Sequence, residues 1–381
     1  MNLFPAVLLG GPPHAGKSVL TYTLTQALRS QQVDHYVLRA CPDGEGDWSN
    51  EAAQELVRLI RVKGDYTSAF VERIARDLAR RHLPLLVDVG GRPGPLDTSV
   101  FNQCTHAVLL YKEPADLDLW RELMDRHGIT LLAEILSLPG PAADHYIADY
   151  GTVLRGAISG LERGTTAHGP LVGALVERLA SLFAYSPDEL RTAHLAAAPV
   201  ETVIELDRLG QTLGLTDAQN RWSPHHLPKV LDYLPAGIPL GLYGRGPNWL
   251  YAALALHAHP AELFQFDPRL GWIAPLRLVQ GEVNPAASLQ AQVIDHESYT
   301  RLEFSIQATY LDYDEVIDAI VPKLLLNQGI MLSGRLPHWL WTGLVLVYWG
   351  APWQAVYYPQ LGQGIVVGSE QDALPVGALV K

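Results

Sequence analysis

Cysteine is nearly missing from this chain: Cys41 and Cys104 are the only two among 381 residues. That is too few for a disulfide framework, and no Cys/His spacing suggests a structural zinc, so a reducing cytosol is the default expectation. Basic residues are scarce as well, 28 Lys and Arg against 40 Asp and Glu, for a net charge of −12. A general duplex-DNA surface is thereby disfavoured, because neutralising phosphates over many base pairs needs an excess of Lys and Arg on one face. Charged residues of both signs reach only 18%, apolar residues make up 48%, and there is no low-complexity tract. The composition excludes a disordered chain and predicts folding throughout. Long hydrophobic runs are absent too. The longest, Trp339 to Trp349, falls far short of the roughly twenty residues of a membrane span, so no membrane partner is expected. The apolar start, Leu3 to Leu9, has no basic leader and no small-residue cleavage site, and reads as a first strand.

What is present divides into two halves. The length predicts two or three domains, each able to bury its own core. In the first half, Ala6-Val7-Leu8-Leu9 has the pattern of a buried parallel strand and empties into Gly11-Pro12-Pro13-His14-Ala15-Gly16-Lys17-Ser18, followed by an amphipathic helix to about Arg29. Strand, glycine loop and helix in that order predict a phosphate-binding loop for ATP. Gly11 and Gly16 let backbone N–H groups close around a polyphosphate, Lys17 reaches the terminal phosphates, and Ser18 ligates magnesium. Leu85 to Gly91 is a second apolar strand carrying Asp88, the expected second magnesium-positioning carboxylate. Further strands at 36–38, 107–111 and 129–135 alternate with helical stretches at 68–81 and 114–127, which predicts a mostly parallel sheet with helices on both faces. The loop Cys41 to Trp48 places Asp43 or Asp47 as a base opposite the phosphates, or is a solvated turn. Arg92 either stabilises a transferring phosphoryl group or is a surface arginine. Two closing helices, 170–185 and 186–197, end this half, and Ala196-Ala197-Ala198-Pro199 reads as the boundary of a 1–197 P-loop NTPase domain.

The second half contains a duplication. Gly244-Arg245-Gly246-Pro247-Asn248-Trp249-Leu250, an apolar helix and Asp267-Pro268-Arg269-Leu270-Gly271 return as Gly334-Arg335-Leu336-Pro337-His338-Trp339-Leu340, a helix and Tyr358-Pro359-Gln360-Leu361-Gly362. The offset is 90 residues from Arg245 to Arg335 and from Trp249 to Trp339, and 91 from Pro268 to Pro359 and from Gly271 to Gly362. A single insertion or deletion between the helix and the proline accounts for the difference. Where the first copy has His259, Asp267 and Arg269, the second has Trp349, Tyr358 and Gln360. The polar groups of an acid/base and phosphate site are lost together. Each copy reads as strand (202–206; 302–306), helix (224–234; 314–326), strand (239–242; 330–332), Gly-Arg turn, helix and two more strands. Glycine and a helix N-terminus suit anions, so Arg245, Gly246 and Arg335 are candidate phosphate contacts, or the arginines pin the turn to a nearby carboxylate. Trp249 and Trp339 fall on the first helical turn, where they pack in the core or stack on bases. His257 and His259, two apart, point to opposite sides of the helix, so they cannot share a site.

These two spaced motifs resemble the Csx-three family of CRISPR-associated ring nucleases, which cleave cyclic tetra-adenylate in type III systems. The resemblance covers roughly residues 200 to 381 as two tandem copies, 200–290 and 291–381, which would form a pseudo-dimer of small α/β units. It implies that His259, Asp267 and Arg269 form the catalytic group of a phosphodiesterase acting on cyclic oligoadenylate, with a divalent cation, manganese or magnesium, that Asp267 could bind. It implies an antiviral-defence role in which the second copy is degenerate. In such chemistry His259 would move a proton, Asp267 would orient it or hold the ion, and Arg269 would clamp non-bridging oxygens. P-loop domains are known fusion partners of the family. A homo-oligomer is expected, since two chains could sandwich a ring of matching symmetry. The rival reading makes the tandem half a receptor for the ring that regulates a P-loop ATPase or kinase. A third makes the whole a metabolic kinase with a substrate-binding repeat.

Overall fold

The computed structural model describes residues 4–41, 67–140, 146–162, 164–215, 221–306, 311 and 313–381. Asp43 and Asp47 lie outside them. The contacts divide the chain into two compact units, Met1–His194 with Pro268–Leu270, and Leu195–Asp267 with Gly271–Lys381.

The first unit is built on a seven-stranded sheet of β1 (Ala6–Gly10), β2 (Tyr36–Ala40), β3 (Leu85–Val89), β4 (His106–Tyr111), β5 (Thr130–Leu138), β6 (Tyr146–Tyr150) and β7 (Leu154–Ser159). The order is β2-β3-β1-β4-β5-β7-β6, and every pairing is parallel except that of β6 with β7. The helices are α1 (Lys17–Ser30), α2 (Ser68–Ala79), α3 (Thr98–Phe101), α4 (Pro114–Arg126), α5 (Pro170–Leu182) and α6 (Pro187–Ala196). Alternate residues of β1 face opposite sides, as a pleated strand requires. Val7 and Leu9 share a core with Leu20, Leu24 and Leu28 of α1 and Leu171, Leu175 and Leu179 of α5. Ala6 and Leu8 share another with Ile74 and Leu78 of α2 and Leu117, Trp120 and Met124 of α4. The mixed α/β class and the two helical faces expected from the sequence are both present.

The second unit holds β8 (Val203–Glu205), α7 (Leu206–Leu213), α8 (Leu227–Tyr233), β9 (Leu240–Tyr243), α9 (Asn248–Ala258), β10 (Leu263–Asp267) and β11 (Gly271–Ile273). It continues through β12 (Val279–Gly281), β13 (Leu289–Asp295), β14 (Tyr299–Ile306), β15 (Ile320–Pro322), β16 (Gly329–Gly334), α10 (His338–Val347), β17 (Trp353–Tyr358), β18 (Gln363–Ser369) and β19 (Leu379–Val380). One sheet runs β11-β10-β9-β8 and another β13-β14-β16-β17-β18-β19. In each, three neighbouring strands are parallel, β8-β9-β10 and β14-β16-β17, and the last of them turns back into an antiparallel partner, β11 or β18. The duplicated stretches therefore share one local plan, strand, Gly-Arg turn, helix, strand, strand.

Both repeat helices start from proline caps of nearly the same conformation, Pro247 (φ −72, ψ 156) and Pro337 (φ −68, ψ 156). They are apolar almost all round, which marks helices enclosed by protein. Accordingly α9 packs on α10 and on β17 and β18, while Thr342 of α10 donates to Oε1 of the buried Gln265 in β10 at 3.0 Å. Trp249 and Trp339 are 1% and 0% exposed. They are core residues and leave no face open for a base.

The helix expected over 314–326 does not form. In its place stand a single 3-10 turn, Tyr313–Val316, and the short strand β15, which pairs in parallel with β12. Asp318 adopts a positive φ of 59, Ile320 and Val321 are β-branched, and Pro322 cannot donate within a helix. In the first copy, the 224–234 helix begins as a 3-10 turn, Pro224–His226, before α8.

Candidate functional site

In the first unit, β1 lies between β3 and β4 at the point where the strand order turns, and α1 starts just beyond the C-terminal end of β1. Ligands of open α/β sheets bind in that crevice. The loop between them closes on its own lysine, the buried Lys17 Nζ donating to the carbonyls of Gly11 and Pro12 at 3.0 Å each. Gly11 has φ +142, and a Cβ there would collide with the Leu110 carbonyl oxygen, so the loop needs glycine at that point. Gly16 caps α1 in the left-handed conformation with no side-chain cap, which leaves the first-turn N–H groups to the loop side. Ser18 is the second residue of α1. Asp88 stands in register with Leu9 on one side and Arg39 on the other, and its Oδ2 accepts from the Arg39 guanidinium at 2.6 Å. A loop of this shape, a lysine and a hydroxyl at a helix start and a strand-end carboxylate are a donor set that fits ATP with magnesium. Arg92 is exposed.

In the second unit the parallel strands β8, β9 and β10 end together, and their ends carry the turn residues. Gln265 pairs with Leu242, so Asp267 at the end of β10 falls beside Gly244. Glu205 pairs with Tyr243, which brings the start of α7 to the same edge. There the Asp207 Oδ2 is 3.2 Å from where a Cβ on Gly244 would stand. Tyr251, one turn into α9, donates its hydroxyl to the Gly244 carbonyl at 2.7 Å. Burial first, then the charges of Asp207 and Asp267, push the Tyr251 phenol well above its usual pKa, so the hydroxyl stays protonated and keeps donating.

A residue of the second copy completes this edge. The ring of His338, first in α10, lies 4.6 Å from that of Tyr251. Protein packed around the imidazole lowers its pKa, with the negative charge of Asp267 acting in the opposite direction. Tyr251, Asp207 and His338 are not singled out by motif reading. Comparing the copies for losses hides the one gain at this place, because Asn248 of the first copy aligns with His338 of the second.

His259 is elsewhere. In a strand-helix-strand unit the helix starts where the first strand ends and returns to the opposite end of the sheet. His259 is the C-cap of α9, and β10 then runs back to deliver Asp267. The two are therefore separated by the length of β10, roughly 13 Å along the strand at about 3.3 Å per residue. Within one second unit, the convergence expected of His259 with Asp267 is not formed. Arg269 belongs to the short segment Pro268–Leu270 that groups with the first unit. The His259 ring instead stacks on Trp349, its own counterpart in the second copy, at 4.8 Å and 28°, and Trp349 is 61% exposed. His257 is tied to the Leu234 carbonyl at 2.9 Å.

The two Gly-Arg turns need their glycines. Gly244 has φ +106 and Gly334 φ +151, where a Cβ would meet the Phe304 carbonyl oxygen at 2.6 Å. Arg245 and Arg335 are both exposed. Arg245 and Gly246 line an open cleft of about 730 Å³ whose lining also includes Tyr358 and Leu361. Among the described residues no group of three or more His, Cys, Asp or Glu could by itself hold a metal ion. A cation at Asp267 would thus draw much of its shell from a ligand's phosphates. No helix among the described residues is long and apolar enough to cross a membrane.

Residues 305–381 match the family model described as CRISPR-associated protein (Cas_csx3). The C-terminal region of the chain therefore carries the signature of that CRISPR-associated family, over the stretch that contains β16, α10, β17 and β18.

Proposed function

We propose that this chain is a phosphodiesterase for cyclic oligoadenylate, with cyclic tetra-adenylate as its ring, that switches off type III CRISPR signalling. Segments 200–290 and 291–381 act as two ring-nuclease-like units forming a pseudo-dimer within one chain, and residues 1–197 act as a P-loop domain. The observation that carries this reading is the recurrence of one plan, a parallel strand, a Gly-Arg turn that only glycine can make, and an enclosed helix, in the family-matched 305–381 region and again at 240–273. Arg245 and Arg335 bind ring phosphates, and the Asp267 edge is the cleaving side. Because β10 separates His259 from Asp267, a second chain must bring its His259 to that edge, which makes the active form a homo-oligomer. In the first unit, Gly11, Gly16 and Lys17 hold the phosphates of ATP, and Ser18 and Asp88 hold its magnesium. Bound ATP supplies a phosphoryl group or the free energy of its hydrolysis.

Incubation of the full chain with cyclic tetra-adenylate and manganese or magnesium, followed by chromatography, tests the reading. Linear adenylates are expected, and their yield per chain should rise with protein concentration because the site is completed between chains. Recovery of intact ring at every concentration would overturn it.

The separation of His259 from Asp267 also favours the receptor reading, in which the second unit holds the ring and the first unit is the enzyme. That reading requires intact ring together with a ring-dependent change in ATP turnover.

A further inference from the structure

A strand-end carboxylate receives a cation only if its oxygens are aimed, and in the first unit the aim of Asp88 is set by a residue that belongs to no motif. We propose that Arg39 is a positioning residue for the magnesium of bound ATP, its guanidinium holding Asp88 in the orientation that receives the ion. The inference rests on the ATP and magnesium reading of the 11–18 loop given above, and adds a residue outside both that loop and the strand that carries the carboxylate.

Arg39 in β2 stands directly across a parallel pair from Asp88 in β3, and Leu9 of β1 stands across from Asp88 on the other side. Residues paired in this way point to the same face of the sheet. That face is the one α1 covers. Leu9, and Leu86 two residues before Asp88, share a core with Leu20 and Leu24 of α1, and Val37 two residues before Arg39 packs against it. Arg39 and Asp88 thus continue the α1 side of the sheet toward the C-terminal strand ends, the end from which the glycine loop leads to Lys17 and Ser18 at the start of α1. There the Arg39 Nη1 donates to the Asp88 Oδ2 at 2.6 Å, with the two side chains 16% and 7% exposed.

Stability is a weak reason for so enclosed a pair. Removing two charges from water costs about as much as their attraction returns, and apolar residues of similar volume often serve as well. What the pair supplies is direction. A planar guanidinium on one carboxylate oxygen fixes the plane of the group, and with it the direction of the other oxygen. Carboxylates that ligate metals are held by donors of this kind, and losing the donor costs roughly 10- to 100-fold in metal affinity. The positive charge of Arg39 also repels an incoming cation, so the sign of the measured effect separates aiming from repulsion.

Titration calorimetry on the full chain with a non-hydrolysable ATP analogue, over a series of magnesium concentrations and in chelator, tests the proposal. In Arg39→Gln the magnesium concentration that gives half of the full gain in affinity should rise roughly 10- to 100-fold, while affinity in chelator stays near the wild-type value. Arg39→Lys keeps the charge without the planar fork and should show a smaller rise. Asp88→Asn should remove the magnesium-dependent gain, and Arg39→Lys added to it should change nothing further, a coupling that a merely structural role does not produce. An unchanged magnesium requirement in both Arg39 variants overturns the positioning role and leaves the ATP site standing. A lowered requirement also overturns it, because Arg39 would then compete with the ion. So does a loss of affinity that is equally large in chelator, which would make Arg39 a direct phosphate contact. A wild-type chain that binds no analogue removes the ATP reading and the inference together. Should Arg39→Gln lower the melting temperature by leaving Asp88 without its guanidinium, Arg39→Lys carries the comparison.

Discussion

Asp267 is the side chain on which the proposed chemistry turns, and its surroundings say why. It stands at the end of a half-buried strand, beside the turn that Tyr251 fastens through the Gly244 carbonyl, and its charge reaches both Tyr251 and His338. Asp267→Asn keeps the shape and removes the charge. Ring turnover should fall by about a hundredfold or more, as for loss of one acid/base or electrostatic group, with ring affinity nearly unchanged in calorimetry. A loss of affinity with full turnover would move Asp267 from chemistry to binding. At the same scale, Glu134 in the first unit is 2% exposed and accepts from Arg121 Nε and Arg155 Nε at 2.7 Å each. Burial alone would raise its pKa, but the hydrogen bonds and charges of the two arginines outweigh burial and hold the carboxyl below its usual value. A depressed folded pKa means stability that is present above the unfolded value, near 4.3, and lost as pH falls through the folded one. Glu134→Gln should therefore cost about 1–3 kcal/mol near neutral pH. In denaturant titrations that difference should shrink steadily below about pH 4.

At the scale of elements, the repeated strand-turn-helix depends on backbone that only glycine adopts. Gly334→Ala would place a methyl against the Phe304 carbonyl at a φ of +151, and a strained residue of this kind costs on the order of 1–3 kcal/mol. A lower melting temperature is expected, and an unchanged one would mean the turn has another conformation available. The sequence makes these elements legible for a simple reason. Strand-loop-helix at Ala6–Ser30, the glycine turns and the enclosed helices α9 and α10 are all set by periodicity and turn chemistry over a few residues. The failure at 314–326 has the same origin. Its apolar spacing suits a helix, but the chain at 320–322 pairs with 279–281, a partner some forty residues away that local pattern cannot reveal.

For the whole molecule, the proposed function gives the two units separable tasks. Lys17→Ala removes the amine that closes the glycine loop and should abolish ATP turnover. Under the phosphodiesterase reading it leaves ring opening intact when ATP is absent; loss of both activities would mean that the units are energetically linked. The net charge of −12 adds a second expectation. A polyanionic ring must be held by local arginines against an unfavourable overall field, so affinity should fall with added salt through screening of the Arg245 and Arg335 contacts.

By itself the sequence determined the α/β class of both units, the glycine loop with Lys17 and a Gly-Arg motif that recurs with unequal polar content, because each is written in contiguous residues. The tertiary structure alone decided which of those groups meet. Parallel register delivers Asp267 to Gly244, the return path of α9 carries His259 to the far end of β10, and packing between helices ninety residues apart brings His338 onto Tyr251 and Tyr358 into the cleft of Arg245. Such encounters follow from strand direction and from which helices pack on one another, neither of which any single stretch of chain encodes.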